Sequence, residues 1–117
     1  MTGMEETPAT IQVDLRLLER LNCPLEEIAK LCEKFHVREL SVFGSAVRDD
    51  FKNESSDLDY LVSFDADAHA TYYEFFDLSE ALSNATGRKV DLVPKEGIRQ
   101  TIRESVFRDS RVIYAHR

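Results

Sequence analysis

Residues 39–64 read ELSVFGSAVRDDFKNESSDLDYLVSF, and this stretch changes character twice. Residues 39–43 alternate between polar and apolar and predict a strand, which Gly44-Ser45 ends. Residues 46–56 are polar and charged, as in a surface loop or a short helical turn. Residues 58–64 predict a second strand, opened by Asp57-Leu58-Asp59.

Outward from this stretch, helices and short strands follow one another. Leu15, Leu18 and Leu21 predict one face of a first helix over residues 14–21. Pro24 suits the first position of a second helix, where its missing N–H costs nothing. Leu25, Ile28, Cys32 and Phe35 carry that helix forward. Thr71 and Glu74 form a capping-box signature before the apolar stripe Phe75, Leu78, Leu82 and Ala85, and Gly87 is placed to end that helix. Residues 90–93 predict a short strand stopped by Pro94. Ile98, Ile102 and Val106 line one face of a last helix, and residues 111–115 predict a final strand. Residues 1–9 lack periodicity and are expected to fray.

Strands mixed with helices in a 117-residue chain imply one domain of α/β (α+β) class, a sheet of about four strands with helices packed on it. The side-chain pattern leaves the strand order open.

Composition narrows the function. Apolar residues make up 43% and charged residues 32%, a globular balance. No stretch approaches the ~20 apolar residues of a membrane span, and Glu5 and Glu6 argue against a signal peptide, so a cytoplasmic location is expected. The net charge of −7 opposes a phosphate backbone and weighs against nucleic acid as the main partner. It does not weigh against a nucleotide, because bound Mg²⁺ reverses the local sign. Cys32 sits on an apolar stripe and reads as a buried thiol. Cys23 and Cys32 form no metal motif, and His36, His69 and His116 are scattered.

The chemistry lies in three features. Residues two apart in a strand share a face, so Asp57 and Asp59 project together while Leu58 and Tyr60 point the other way. Like charges ~4 Å apart repel by about 4 kcal/mol at an effective dielectric near ~20. A cation removes that repulsion, and Mg²⁺ is typically held by one or two carboxylates plus phosphate oxygens. Asp91 interrupts an apolar strand, which costs energy unless it reaches solvent, a hydrogen bond or a metal. Should its strand neighbour that of Asp59, all three carboxylates share one cleft. Gly44 permits close backbone approach to a ligand, Ser45 adds a hydroxyl and an N–H for phosphate, and Arg48 offers a positive charge.

Gly-Ser, then Asp-x-Asp after a polar loop, then Asp in Val90-Asp91-Leu92-Val93 resembles the polymerase-beta-type nucleotidyltransferase superfamily, and the short length points to its minimal, MNT-domain members. Arg111-Val112-Ile113-Tyr114 is similar to that family's closing strand. Eleven residues separate Ser45 from Asp57, one more than the usual minimal pattern. The resemblance implies that Gly44 and Ser45 hold nucleotide phosphates with Arg48 nearby. It implies that Asp57, Asp59 and Asp91 bind catalytic Mg²⁺, with Asp91 also helping to activate the attacking hydroxyl. It further implies ATP as substrate, a HEPN-domain ribonuclease toxin as partner, and an antitoxin that adenylylates a tyrosine of that toxin. Two other readings stay open: an antitoxin that neutralises by binding alone, and a subunit of a small-molecule nucleotidyltransferase.

Overall fold

The computed structural model describes residues 13–52, 55–66 and 72–116. The expected fraying of residues 1–9, the Thr71 cap and His69 lie outside them. In chain order the elements are α1 (Leu15–Leu21), α2 (Leu25–Lys34), β1 (Val37–Phe43), a 3₁₀ turn (Gly44–Val47), β2 (Leu58–Phe64), α3 (Tyr72–Thr86), β3 (Val90–Pro94), a second 3₁₀ turn (Lys95–Gly97), α4 (Gln100–Asp109) and β4 (Arg111–Ala115). No helix among the described residues is long and apolar enough to cross a membrane.

Local chemistry sets the ends of these elements. Asp14 caps α1 by accepting from the Leu17 N–H at 2.8 Å. Asn22 closes α1 in the left-handed region at φ 56°, and its side-chain amide donates to the Thr86 carbonyl at 2.8 Å, tying α1 to the end of α3. Pro24 takes the capping position of α2, one residue before its expected place. Gly87, at φ +69°, stops α3 as anticipated.

The four strands form one mixed sheet in the order β3-β2-β1-β4. β1 is antiparallel to both β2 and β4, while β2 and β3 run parallel, joined through α3. Strand alternation then sorts the two faces. Leu58, Tyr60 and Val62 of β2, with Leu40 and Val42 of β1, are buried in the main core under Leu17, Leu21, Ile28, Cys32, Leu78 and Leu82 of α1–α3. Asp59, Leu61 and Ser63 face the other way. There Lys95 donates to Glu39 at 2.6 Å and Ser63 donates to Glu96 at 2.7 Å, which brings the second 3₁₀ turn and α4 over this face. Leu61 and Ile98 are buried outside the main cluster.

Several side chains depart from the sequence expectation. Leu15 is 77% exposed, and Leu17 takes its place beside Leu21. A helix this short carries leucines on both flanks, and the sheet selects one flank. Ala85 is exposed while Thr86 is buried, its hydroxyl satisfied by the Leu82 carbonyl at 2.8 Å. Ile98 precedes α4 instead of lying on it, and Ile102 is half exposed, because α4 covers a face that is only partly apolar. β1 begins two residues earlier than expected, where Val37 pairs with Phe64. Cys32 is fully buried and unpaired, and burial raises its thiol pKa to about 12.

Leu82 is fully buried between α3 and the sheet. Leu82→Ala is expected to cost about 2–5 kcal/mol through lost burial and the cavity left behind, measured by urea denaturation.

Candidate active site

The register of three strands sets three residues side by side. Phe43, the last residue of β1, pairs with Asp59, and Asp59 pairs with Asp91 across the parallel β2–β3 ladder. Asp57 precedes β2 by one residue, two before Asp59, while Leu58 and Tyr60 are fully buried on the opposite face. The three aspartates therefore gather at the end of the sheet where β2 and β3 begin. Asp91 is exposed, and Asp57 and Asp59 are half-buried.

Asp59 carries the strain of this arrangement. Burial, and then the charges of Asp91 and Asp57, push its pKa up to about 6, only partly offset by Arg48. Gly44 stands against the same carboxylate. It has φ +76°, where a side chain is disfavoured, and a Cβ built on it would overlap the Asp59 carboxylate oxygen and lie 3.2 Å from the carboxyl carbon. Only a bare backbone leaves Asp59 its place.

Gly44 also opens the 3₁₀ turn that holds Ser45. Ser45 is half-buried, and its carbonyl accepts from the Arg48 N–H at 3.0 Å. The Arg48 guanidinium donates to Asp50 at 3.2 Å, so it is held within its own loop while its charge still reaches Asp59. Arg20, which sequence reasoning passed over, donates from α1 to the Ala46 carbonyl at 3.0 Å and to the Arg48 carbonyl, and so holds the turn from behind. Nothing in the local sequence around Arg20 points to this, since the contact spans 26 residues.

Among the described residues, no three His, Cys, Asp or Glu side chains are arranged to hold a metal ion by themselves. The acidic set nonetheless fits Mg²⁺, which typically takes one or two carboxylates and completes its shell with water and nucleotide phosphates. A cation beside Asp59 would relieve the repulsion that raises its pKa.

Comparison with known proteins follows the same lines. The family model described as a nucleotidyltransferase domain matches residues 25–114. The protein adenylyltransferase MntA of Thermococcus cleftensis is 41% identical over 85 residues, 73% of this chain and 81% of that protein. A solved structure described as a candidate minimal nucleotidyltransferase is similar at TM-score 0.65 and 32% identity, covering 85% of this chain and 95% of the other. A chain of the complex between the tri-AMPylated Shewanella oneidensis HEPN toxin and its MNT antitoxin shares the fold at TM-score 0.58 and 19% identity, covering 85% of this chain and 72% of that one.

Two outcomes test this geometry. Gly44→Ala is expected to destabilise the protein by about 1–3 kcal/mol in urea denaturation, from positive φ and overlap with Asp59. Asp59 titrates near 3.8 when unconstrained and about 6 when folded. The folded state therefore holds the proton more tightly, and this group's contribution to stability falls as pH rises from about 4 through 6, then levels. Asp59→Asn should remove that slope and stabilise the metal-free protein by about 1 kcal/mol at neutral pH, after allowance for solvent screening, read as a higher thermal midpoint at pH 8 than wild type.

Proposed function

The chain belongs to the nucleotidyltransferase domain family, and from that premise we propose that it transfers AMP from ATP to a tyrosine of a HEPN-domain partner, in the cytoplasm and as the antitoxin of a toxin–antitoxin pair. The observation that carries this reading is Asp59 set in register with Asp91, with the bare backbone of Gly44 against its carboxylate. The adenylyltransferase name of the Thermococcus relative supports the transferred group, and the AMPylated HEPN toxin in the Shewanella complex supports a HEPN protein as the partner that receives it.

Each residue has a role in this scheme. Asp57 and Asp59 would hold Mg²⁺, which when bound lowers the pKa of an attacking hydroxyl and neutralises charge on the triphosphate. The turn that starts at Gly44 would lie against the phosphates, with the Ser45 hydroxyl and N–H as donors. Arg48 would exchange its exposed ion pair with Asp50, a contact worth little in water, for a phosphate oxygen. The acceptor oxygen then forms a bond to the α-phosphorus, the α–β anhydride bond breaks, and pyrophosphate leaves. Asp91 is exposed and would take the hydroxyl proton of an acceptor brought up from that side.

AMP on a ribonuclease toxin adds bulk and negative charge where RNA phosphate must bind, which accounts for silencing. The net charge of −7 suits a cationic, RNA-binding partner.

The decisive experiment incubates the protein with labelled ATP, Mg²⁺ and the product of the neighbouring gene, with mass spectrometry for AMP on tyrosine. Asp57→Ala and Asp59→Ala are each expected to lower transfer about 100- to 1,000-fold, since removing a catalytic electrostatic group costs on that order. If the triple variant at Asp57, Asp59 and Asp91 neutralised the partner as well as wild type, binding alone would be the mechanism.

A further inference from the structure

We propose that Phe51 is a positioning residue: its ring, engaged by two guanidinium groups, fixes the turn after β1 in the conformation that receives a triphosphate. The consequence for nucleotide rests on the transfer reading above; the geometry does not.

Phe51 is the single aromatic residue in the polar segment 46–56. It is partly buried against the main core, which docks the loop onto the body of the protein. The guanidinium carbons of Arg20 and Arg88 each lie 5.0 Å from its ring centre. Two like charges drawn to one ring would repel each other, and other bonds hold them there. Arg88 donates from Nε to the Arg20 carbonyl at 2.8 Å. Arg20 donates onward to the carbonyls of Ala46 and Arg48. The Asn22 amide bonds the Thr86 carbonyl at 2.8 Å beside them.

The cluster joins three distant parts of the chain. Arg20 lies in the last turn of α1, Phe51 follows the Gly44–Val47 turn, and Arg88 stands three residues before Asp91. It therefore sets the phosphate-facing turn at a fixed distance from the strand that carries Asp91. Arg20 also occupies the carbonyl oxygens of Ala46 in that turn and of Arg48 just after it, the kind of group that repels a phosphate. A turn held this way binds without first paying for order. When only a fraction of molecules has the competent conformation, apparent affinity falls by that fraction.

Phe51→Leu keeps the apolar bulk and removes the ring; Phe51→Tyr restores a ring. Amide hydrogen exchange over residues 44–48 is measured in the ligand-free protein, and affinity for AMP-PNP with Mg²⁺ by calorimetry, with thermal midpoints as a check on folding. Phe51→Leu is expected to speed exchange and weaken AMP-PNP binding, each about tenfold, the loss expected for cation–π contacts of ordinary strength. Phe51→Tyr is expected to stay within about twofold of wild type on both measures. Arg88→Gln, which leaves Phe51 and Arg20 in place, should fall between, and serves if the leucine variant fails to fold. Wild-type exchange rates in Phe51→Leu, or a tyrosine variant as impaired as the leucine one, overturn the proposal. If wild type binds no AMP-PNP with Mg²⁺, the transfer reading fails, and the exchange comparison alone decides the role of Phe51.

Discussion

Asp59 is crowded by design. Its carboxylate meets two further acidic groups, sits half out of solvent, and has the backbone of Gly44 against one side. Left alone, this arrangement costs the folded protein stability, because every contribution but that of Arg48 disfavours the ionised form. A divalent cation placed among these carboxylates would add an attraction that outweighs their mutual repulsion and favours the ionised form. The energy that neighbouring carboxylates withhold from folding would then be available as affinity for a cation.

The rest of the fold exists to maintain that crowding. The main core lies on one face of the sheet under α1–α3, so the face that bears the acids is spared from apolar cover at that end. Antiparallel pairing of β1 with β2 delivers the chain to Gly44 beside Asp59, and parallel pairing of β2 with β3 lays Asp91 opposite. These are backbone hydrogen-bond ladders, stiff enough to hold like charges together that flexible loops would let drift apart. Loop chemistry handles what ladders cannot: the turn from Gly44 to Val47 is tied from behind by Arg20.

Much of this was legible from residues alone, for identifiable reasons. The strand over residues 39–43 showed itself through period-two alternation, and the end of α3 through Gly87, whose positive φ suits that residue. The acidic groups stood out because Asp91 breaks an apolar run. Strand order was not legible: alternation reports which face a side chain takes, and says nothing of which strand lies alongside. The pairing of Asp59 with Asp91 is a product of that order. The leucines of α1 misled because a helix of two turns offers two plausible apolar flanks, and long-range packing chose Leu17 over Leu15. The contacts of Arg20, Phe51 and Arg88 join residues up to 68 apart and leave no periodic trace, though a lone phenylalanine in a charged loop was a visible hint.

β3 is the outermost strand of the sheet, and Asp91 on it is exposed. Among the described residues the acids thus stand on a ledge, with no further strand on the β3 side of the sheet. A rigid macromolecule can be brought up to such a ledge without threading a side chain down a channel. Selectivity toward such a body would come from how the two surfaces fit against each other, and a side chain on a folded protein becomes as reachable as a small free molecule.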